Sequence, residues 1–199
     1  MERKMKRASI IQRYAHHIFA RPMSAQLLTR KYHMLWLPLE VRTVNFWIPQ
    51  HDRPLVVHAP SHPEIKGTKY VLATIRKLQR ELDFDFRLLT GVPNWKVRDL
   101  LSRSDIVIDQ LVLPGYGMFA VEAMAAGNAV IGSAVRGFNG FGDDLPIVTS
   151  TASTLEQNLR LLIERPDLRR SLAAKGRAYV ERHHDHRAVA ERFAALVAQ

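Results

Sequence analysis

Residues 105–132 read DIVIDQLVLPGYGMFAVEAMAAGNAVIG. The run DIVID at 105–109 is a short apolar core between two acids, as expected of a strand covered on both faces. A glycine-flanked turn then leads into residues 116–126, whose small and apolar side chains suit a helix packed close against a sheet. Gly127 is placed to end that helix in the left-handed conformation. AVIG at 129–132 reads as the next strand. Two strands joined through a helix run parallel, because so long a crossover cannot be a hairpin.

The pattern extends on both sides. Upstream, PLVVHA at 54–59 is a strand. Residues 68–82 follow as a helix, with Val71, Leu72, Ile75, Leu78 and Leu82 at helical spacing. Residues 84–89 form the next strand, and Asn94 is placed to cap a short helix carrying Val97, Leu100 and Leu101. Downstream, residues 145–148 give a fifth strand. Ser153 to Glu156 has the spacing of a capping box, Asp167 can start a second tail helix, and residues 185–197 a third. The expected fold is α/β: a doubly wound, parallel, Rossmann-like sheet with a helical C-terminal tail. Ligands bind such sheets beyond the C-terminal ends of the strands.

The first 50 residues are less regular. They suggest a helix to Tyr14, a short strand at 18–19, a small helix near Ala25 and a strand at 34–37, with Pro38 and Pro49 flanking a linker-like stretch. The expected division is residues 1–50 as the end of another domain plus linker, and residues 51–199 as a ligand-binding domain.

Composition narrows the function. The chain has 199 residues, 47% of them hydrophobic, and no cysteine, which excludes disulfides, thiolate chemistry and cysteine zinc sites and fits a cytoplasmic protein. It has no apolar run long enough to span a membrane, and no apolar core behind its basic N-terminus, so no signal peptide is expected. The net charge of +10 is concentrated at the ends: residues 1–50 carry nine Lys/Arg against two acids, and residues 51–150 eleven against eleven. A basic end can be a solvated helix face or can touch anionic lipid at a membrane periphery. Nucleic acid is disfavoured, since Trp36, Trp47 and Trp95 are too scattered for a base-stacking platform.

Two stretches carry chemistry. In HAPSHPEIKGT at 58–68 a strand ends, a polar loop follows, and Lys66-Gly67-Thr68 opens a helix. A helix start with a lysine beside it can hold a diphosphate, and Gly67 permits close backbone approach. The alternative is an ordinary turn with a surface lysine. In PGYGMFAVEAMAAGNAVIG at 114–132, the backbone N–H groups of Gly117, Met118, Phe119 and Ala120 can face a phosphate or sugar. Glu122, about one turn into the helix, can accept hydrogen bonds from a ribose diol or be a solvated helix-start acid.

These stretches resemble the C-terminal domain of retaining GT-B glycosyltransferases, the family 4 or group 1 class. That family has a lysine-glycine pair opening the first helix of the domain and, further on, E-G-F-G-L-P-A-L-E-A-M-A-x-G-x-P-V-I. This chain has G-Y-G-M-F-A-V-E-A-M-A-A-G-N-A-V-I over 115–131. Residues 146–184 resemble the family's helical tail, so the resemblance covers roughly 34–199, and residues 1–33 resemble the end of an N-terminal acceptor domain. It implies that Lys66 binds the donor diphosphate, that residues 117–120 offer backbone donors, and that Glu122 holds the ribose. It implies a nucleotide diphosphate sugar as substrate, no metal or other cofactor, and an acceptor domain or partner subunit to complete the active site. The chain departs from the family twice. Ser61 stands where an arginine is common, although a subgroup with H-A-P-S and K-G-T motifs resembles this chain closely. Pro114 stands where the family has the first glutamate of an E-x7-E pair, which favours a non-catalytic binding module as the second reading.

Further contacts are expected from His58 and Ser61 in the first loop, from Gly115 and Tyr116 in the second, and at Gly91-Val92 for the base. Asp83-Phe84-Asp85 is a D-x-D at the wrong end of a strand for a ligand. The histidines at 183, 184 and 186 sit at a helix junction and do not converge by spacing, and His16-His17 reads as another junction. GFNGFG at 137–142 has no helix after it, so it reads as a loop rather than a phosphate cradle.

Overall fold

The computed structural model describes residues 2–20, 28–34, 36–134 and 143–198. The expected helix near Ala25 and the glycine-rich run at 137–142 lie outside the described residues. Helix α1 (Glu2–Tyr14) leads into a two-stranded parallel pair, β1 (Phe19–Ala20) and β2 (His33–Met34). The main sheet follows in βα order. It comprises β3 (Leu55–His58), the one-turn helix α2 (Pro63–Lys66), α3 (Thr68–Leu78), β4 (Asp85–Leu88), α4 (Asn94–Leu101), β5 (Ile106–Ile108), α5 (Met118–Ala126), β6 (Ala129–Gly132) and β7 (Ile147–Thr149). The tail is α6 (Leu155–Glu164), α7 (Pro166–His183) and α8 (His186–Val197).

All five strands are parallel, in the order β4-β3-β5-β6-β7. The chain steps from β3 outward to β4, then crosses back to β5 on the other side of β3. That reversal makes the C-terminal ends of β3 and β5 the switch point, where a crevice opens in sheets of this kind.

Period-two alternation divides the core between the two faces. Val57, Val107 and Val130 face α5 and the second half of α7, packing with Leu101, Met124, Tyr179 and Val180. Val56, Ile106, Ile108, Ala129 and Ile131 face α3 and α6, packing with Val71, Ile75, Leu155 and Leu159. Each such aliphatic side chain, almost all wholly enclosed, contributes on the order of 1.5–3 kcal/mol. Coverage of both faces is why the strands are apolar throughout rather than alternating. Strand β4 is one edge of the sheet, and Arg53 pairs there with Asp83 (3.1 Å) and Asp85 (3.0 Å), so both acids of the D-x-D are spent on an arginine at the strand's start.

Three local expectations give way to tertiary structure. Asn94 is the first residue of α4 rather than its cap, and Pro93 holds the cap position. The capping box at 153–156 does not form: the Thr154 hydroxyl accepts from Thr151 N–H at 2.9 Å, and Glu156 pairs with Lys77 at 2.8 Å. The helix expected over 68–82 ends at Leu78, with turns to Leu82. At the start of α8 the expected cap does form, Asp185 accepting from Arg187 N–H at 3.0 Å.

The stretch between Pro38 and Pro49 is irregular apart from a single 3-10 turn (Val41–Thr43), yet it is pinned to the main domain. Leu39 N–H donates to His184 O at 2.7 Å, His186 N–H donates to Leu39 O at 3.0 Å, and Trp47 N–H donates to Ala126 O at 2.9 Å. Gly127 (φ 95°) lets Trp47 come this close, since a Cβ there would lie 1.8 Å from Trp47 O. Buried Arg169 supplies donors to the last carbonyls of α6, Leu162 O and Ile163 O, each at 2.8 Å, and to His51 O.

Candidate functional site

The two motif loops meet at the switch point. The chain leaves β3 at His58 and turns through α2, which Lys66 ends. Gly67 then adopts φ 73°, and its Cα packs so closely that a Cβ would be 3.2 Å from Leu111 Cβ. Gly67 is therefore required by the turn and by Leu111. Its N–H is taken by Glu64 O at 3.2 Å, so it offers no backbone donor to a ligand. Lys66 closes a one-turn helix instead of opening α3.

From the other side, β5 ends at Ile108 and continues into Asp109 and Gln110, both buried. Lys66 Nζ forms an ion pair with Asp109 Oδ1 and also lies 3.3 Å from Gln110 Oε1. Asp109 Oδ2 accepts from Gly117 N–H at 3.3 Å. Gln110 Nε2 donates to Leu113 O (3.1 Å) and Gly115 O (3.0 Å), and the Ser133 hydroxyl also donates to Leu113 O, which holds the loop before α5. The ammonium lies beside the entry of α5, 3.8 Å from where a Cβ on Gly117 would be.

The backbone donors expected at 117–120 reduce to two. Gly117 N–H goes to Asp109, and Ala120 N–H turns back to Gly117 O at 3.1 Å. The N–H groups of Met118 and Phe119 have no acceptor among the described residues, as the first turn of a helix leaves them. A cation, two unpaired amide donors and the positive end of a helix thus share one edge of the sheet, which is an arrangement for a multiply charged anion.

Glu122, 9% exposed, lies one turn further along α5 and accepts from Asn94 Nδ2 at 3.3 Å. Burial pushes its pKa up, while Asn94 and Arg98 act in the opposite direction. It borders a cavity of about 290 Å³ lined also by Thr43, Asn45, Trp95 and Arg98. Gly91, at φ 65°, turns the chain after β4 toward half-buried Val92 and exposed Asn94.

Other expected contacts have structural roles. His58 is fully enclosed. Its Nδ1 donates to Ile108 O at 2.8 Å, and its Nε2 accepts from the Thr68 hydroxyl at 3.0 Å, so it locks β3 to β5 and to the start of α3. Ser61 is exposed, with its hydroxyl 3.3 Å from His62 Nδ1. Gly115 is buried at φ 103° and donates to Ser133 O at 3.4 Å. The Tyr116 phenol is engaged with α7: Tyr179 O–H donates to it (3.2 Å), it donates to His184 Nε2 (2.9 Å), and His184 Nδ1–H donates to Leu37 O (2.8 Å). His183 stacks on Trp36 at 4.7 Å, so the histidines around 183–186 point apart.

A family model described as glycosyl transferase-like matches residues 73–195. The chain belongs to this family. A trehalose synthase of Pyrococcus horikoshii is 27% identical over 134 residues, which is 65% of this chain and 32% of that relative. The match to a Thermococcus litoralis trehalose synthase covers 26% of its length, so this glycosyl transferase-like chain spans between about a quarter and a third of such curated relatives. Among solved structures, sucrose-phosphate synthase from Thermosynechococcus elongatus superposes with TM-score 0.75 at 14% identity, over 100% of this chain and 62% of that one. The GT-B, Rossmann-like fold with its helical tail is thereby shown. Anabaena HepE, solved in complex with UDP-glucose, gives TM-score 0.71 at 14% identity, over 99% of this chain and 68% of that one.

Two residues at the switch point carry no motif signal, Asp109 and Gln110. The signal they do carry is a charged and a polar side chain directly after three buried aliphatics, at the C-terminal end of a central strand. The sequence read Asp109 only as a strand boundary.

Proposed function

We propose that this chain is the nucleotide-sugar-binding half of a retaining glycosyltransferase. The observation that carries the reading is the placement of Lys66 beside the open first turn of α5 at the switch point of the sheet. In sugar transfer the bond between the anomeric carbon and the diphosphate oxygen breaks, and its electron pair passes to that oxygen. The acceptor hydroxyl oxygen forms the new bond to carbon and passes its proton to the departing diphosphate oxygen. Lys66 and the N–H groups of Met118 and Phe119 would stabilise the charge on the leaving diphosphate, a task that then needs no metal. Glu122 would accept from the ribose hydroxyls, with the base near Gly91-Val92. The family resemblance supports retention at the anomeric carbon. The acceptor would be presented across the cleft by a further domain or a partner subunit, and the basic α1 would allow the protein to rest on an anionic membrane from the cytoplasmic side.

The test is calorimetric titration with UDP, GDP and ADP, with and without magnesium. One nucleotide should bind in the micromolar range irrespective of metal, and binding should be lost in Lys66→Ala and weakened in Glu122→Ala. Failure of all three to bind would move the second reading ahead. That reading is a non-catalytic binding module that complements a separate acceptor subunit. It is favoured by Pro114, which puts an exposed ring where the family places a carboxylate. Co-purification of a partner and an absence of turnover would mark it.

A further inference from the structure

The Lys66–Asp109 pair is more elaborate than anion binding requires. A lysine that only meets a phosphate can wait in water. Here its side chain is 11% exposed and held by a carboxylate that is 1% exposed. The same carboxylate accepts Gly117 N–H, so Asp109 ties the turn after β3 to the entry of α5. Packing alone does not call for a charge there. Ile106, Val107 and Ile108 before it are fully buried aliphatics, and a buried ion pair adds little stability over apolar groups of the same volume.

A carboxylate in contact with a lysine acts on an incoming anion in two ways. It fixes the ammonium, which favours binding, and it competes with the anion for the ammonium's charge and N–H groups, which opposes binding. The fixing is shared, because Gln110 Oε1 also contacts Lys66 and its amide is anchored by Leu113 O and Gly115 O. Among the described acceptors at this lysine, a competing charge belongs to Asp109 alone. We infer that Asp109 is a positioning residue that weakens diphosphate binding at Lys66, so that a departing nucleoside diphosphate is released instead of trapped. The inference rests on the reading of Lys66 as a diphosphate ligand.

Asp109→Asn keeps the size and a carbonyl acceptor and removes the charge, and Asp109→Ser serves if that variant does not fold. The full chain is titrated with inorganic pyrophosphate and with UDP, and folding is verified by thermal unfolding. Removing the charge should tighten pyrophosphate binding by about tenfold. The gain should vanish in the double variant Lys66→Met/Asp109→Asn, because it acts through the lysine. A structural role alone could weaken binding but not tighten it. Equal or weaker binding by a folded variant, a gain that survives loss of Lys66, or no pyrophosphate binding by any of the proteins would overturn the inference. Pyrophosphate carries no nucleoside. If UDP binds no better than pyrophosphate, the nucleotide-sugar reading fails while the Asp109 comparison still decides.

Discussion

Lys66 and Asp109, 43 residues apart in sequence, meet in a nearly enclosed ion pair at the reversal point of the sheet. The contact joins the ends of β3 and β5 and, through Gly117, the start of α5. A side chain presented for ligand binding is thus also part of the domain's internal wiring, so substitutions at either residue affect both stability and binding.

Lys66→Ala should therefore have two separable effects. It leaves the Asp109 carboxylate buried without its cation, which costs about 3–5 kcal/mol in sites of this kind. It also removes the cation from the anion site, with at least about a tenfold loss of nucleoside diphosphate affinity. Urea unfolding and calorimetry read the two effects independently. In the double variant Lys66→Ala/Asp109→Asn, much of the stability should return and the affinity should not. If both recovered together, Lys66 would be a structural residue only.

Glu122 is tested through the sugar of the nucleotide. If its carboxylate accepts from the ribose diol, the wild-type protein should prefer UDP over 2′,3′-dideoxy-UDP by about 1–3 kcal/mol. Glu122→Ala should bind both equally. Glu122→Gln should retain part of the preference, since its amide still offers an acceptor. Undiminished discrimination by Glu122→Ala would assign ribose recognition to other residues.

Gly127 tests the packing of the stretch before β3. Gly127→Ala brings a methyl group to within 1.8 Å of Trp47 O at a backbone φ of 95°. Relieving this requires displacing the 38–49 stretch from α5, and the expected loss is on the order of 3 kcal/mol. Chemical denaturation measures it. A stability within the noise of wild type would show that this stretch is not held as described.

These contacts also show what the sequence could tell. Strand β6 matches its expected range of 129–132 to the residue, and β3, β5 and α5 lose only one or two residues at an end, because buried strands and a small-residue helix are marked by their own side chains. Motif spacing singles out Lys66 and Glu122. It does not single out the partner of Lys66, because the Lys66–Asp109 contact depends on the adjacency of β3 and β5, a tertiary fact that no local pattern encodes. His58 and Tyr116 have partners that were illegible for the same reason. Both lie in motif loops, but neighbouring elements capture their polar atoms: Ile108 O and the Thr68 hydroxyl take His58, and His184 and Tyr179 take Tyr116.

The chain of hydrogen bonds from Tyr179 through Tyr116 to His184 should make stability depend on pH. Burial lowers the His184 pKa from 6.5 to about 4, and nearby His183 and Arg192 also oppose its protonation, against a contrary effect of its bond to Leu37 O. The native state therefore holds the ring neutral, with Nδ1–H donating to Leu37 O and Nε2 accepting from Tyr116. Between pH 6.5 and about 4 the unfolded chain takes up a proton that the folded chain refuses. Stability is then fully present above pH 6.5 and falls as the pH drops through this window, by up to about 3 kcal/mol for His184 alone. Buried His58, also shifted down by desolvation, adds to the same slope. Urea unfolding at intervals between pH 7.5 and 4 measures the total. His184→Gln removes one titrating group, so it should be less stable than wild type at pH 7.5 but lose less between pH 6.5 and 4. A slope unchanged by that substitution would mean that the ring already accepts its proton in the folded protein, and that the link between the α5 loop and the Leu37 stretch does not depend on a neutral histidine.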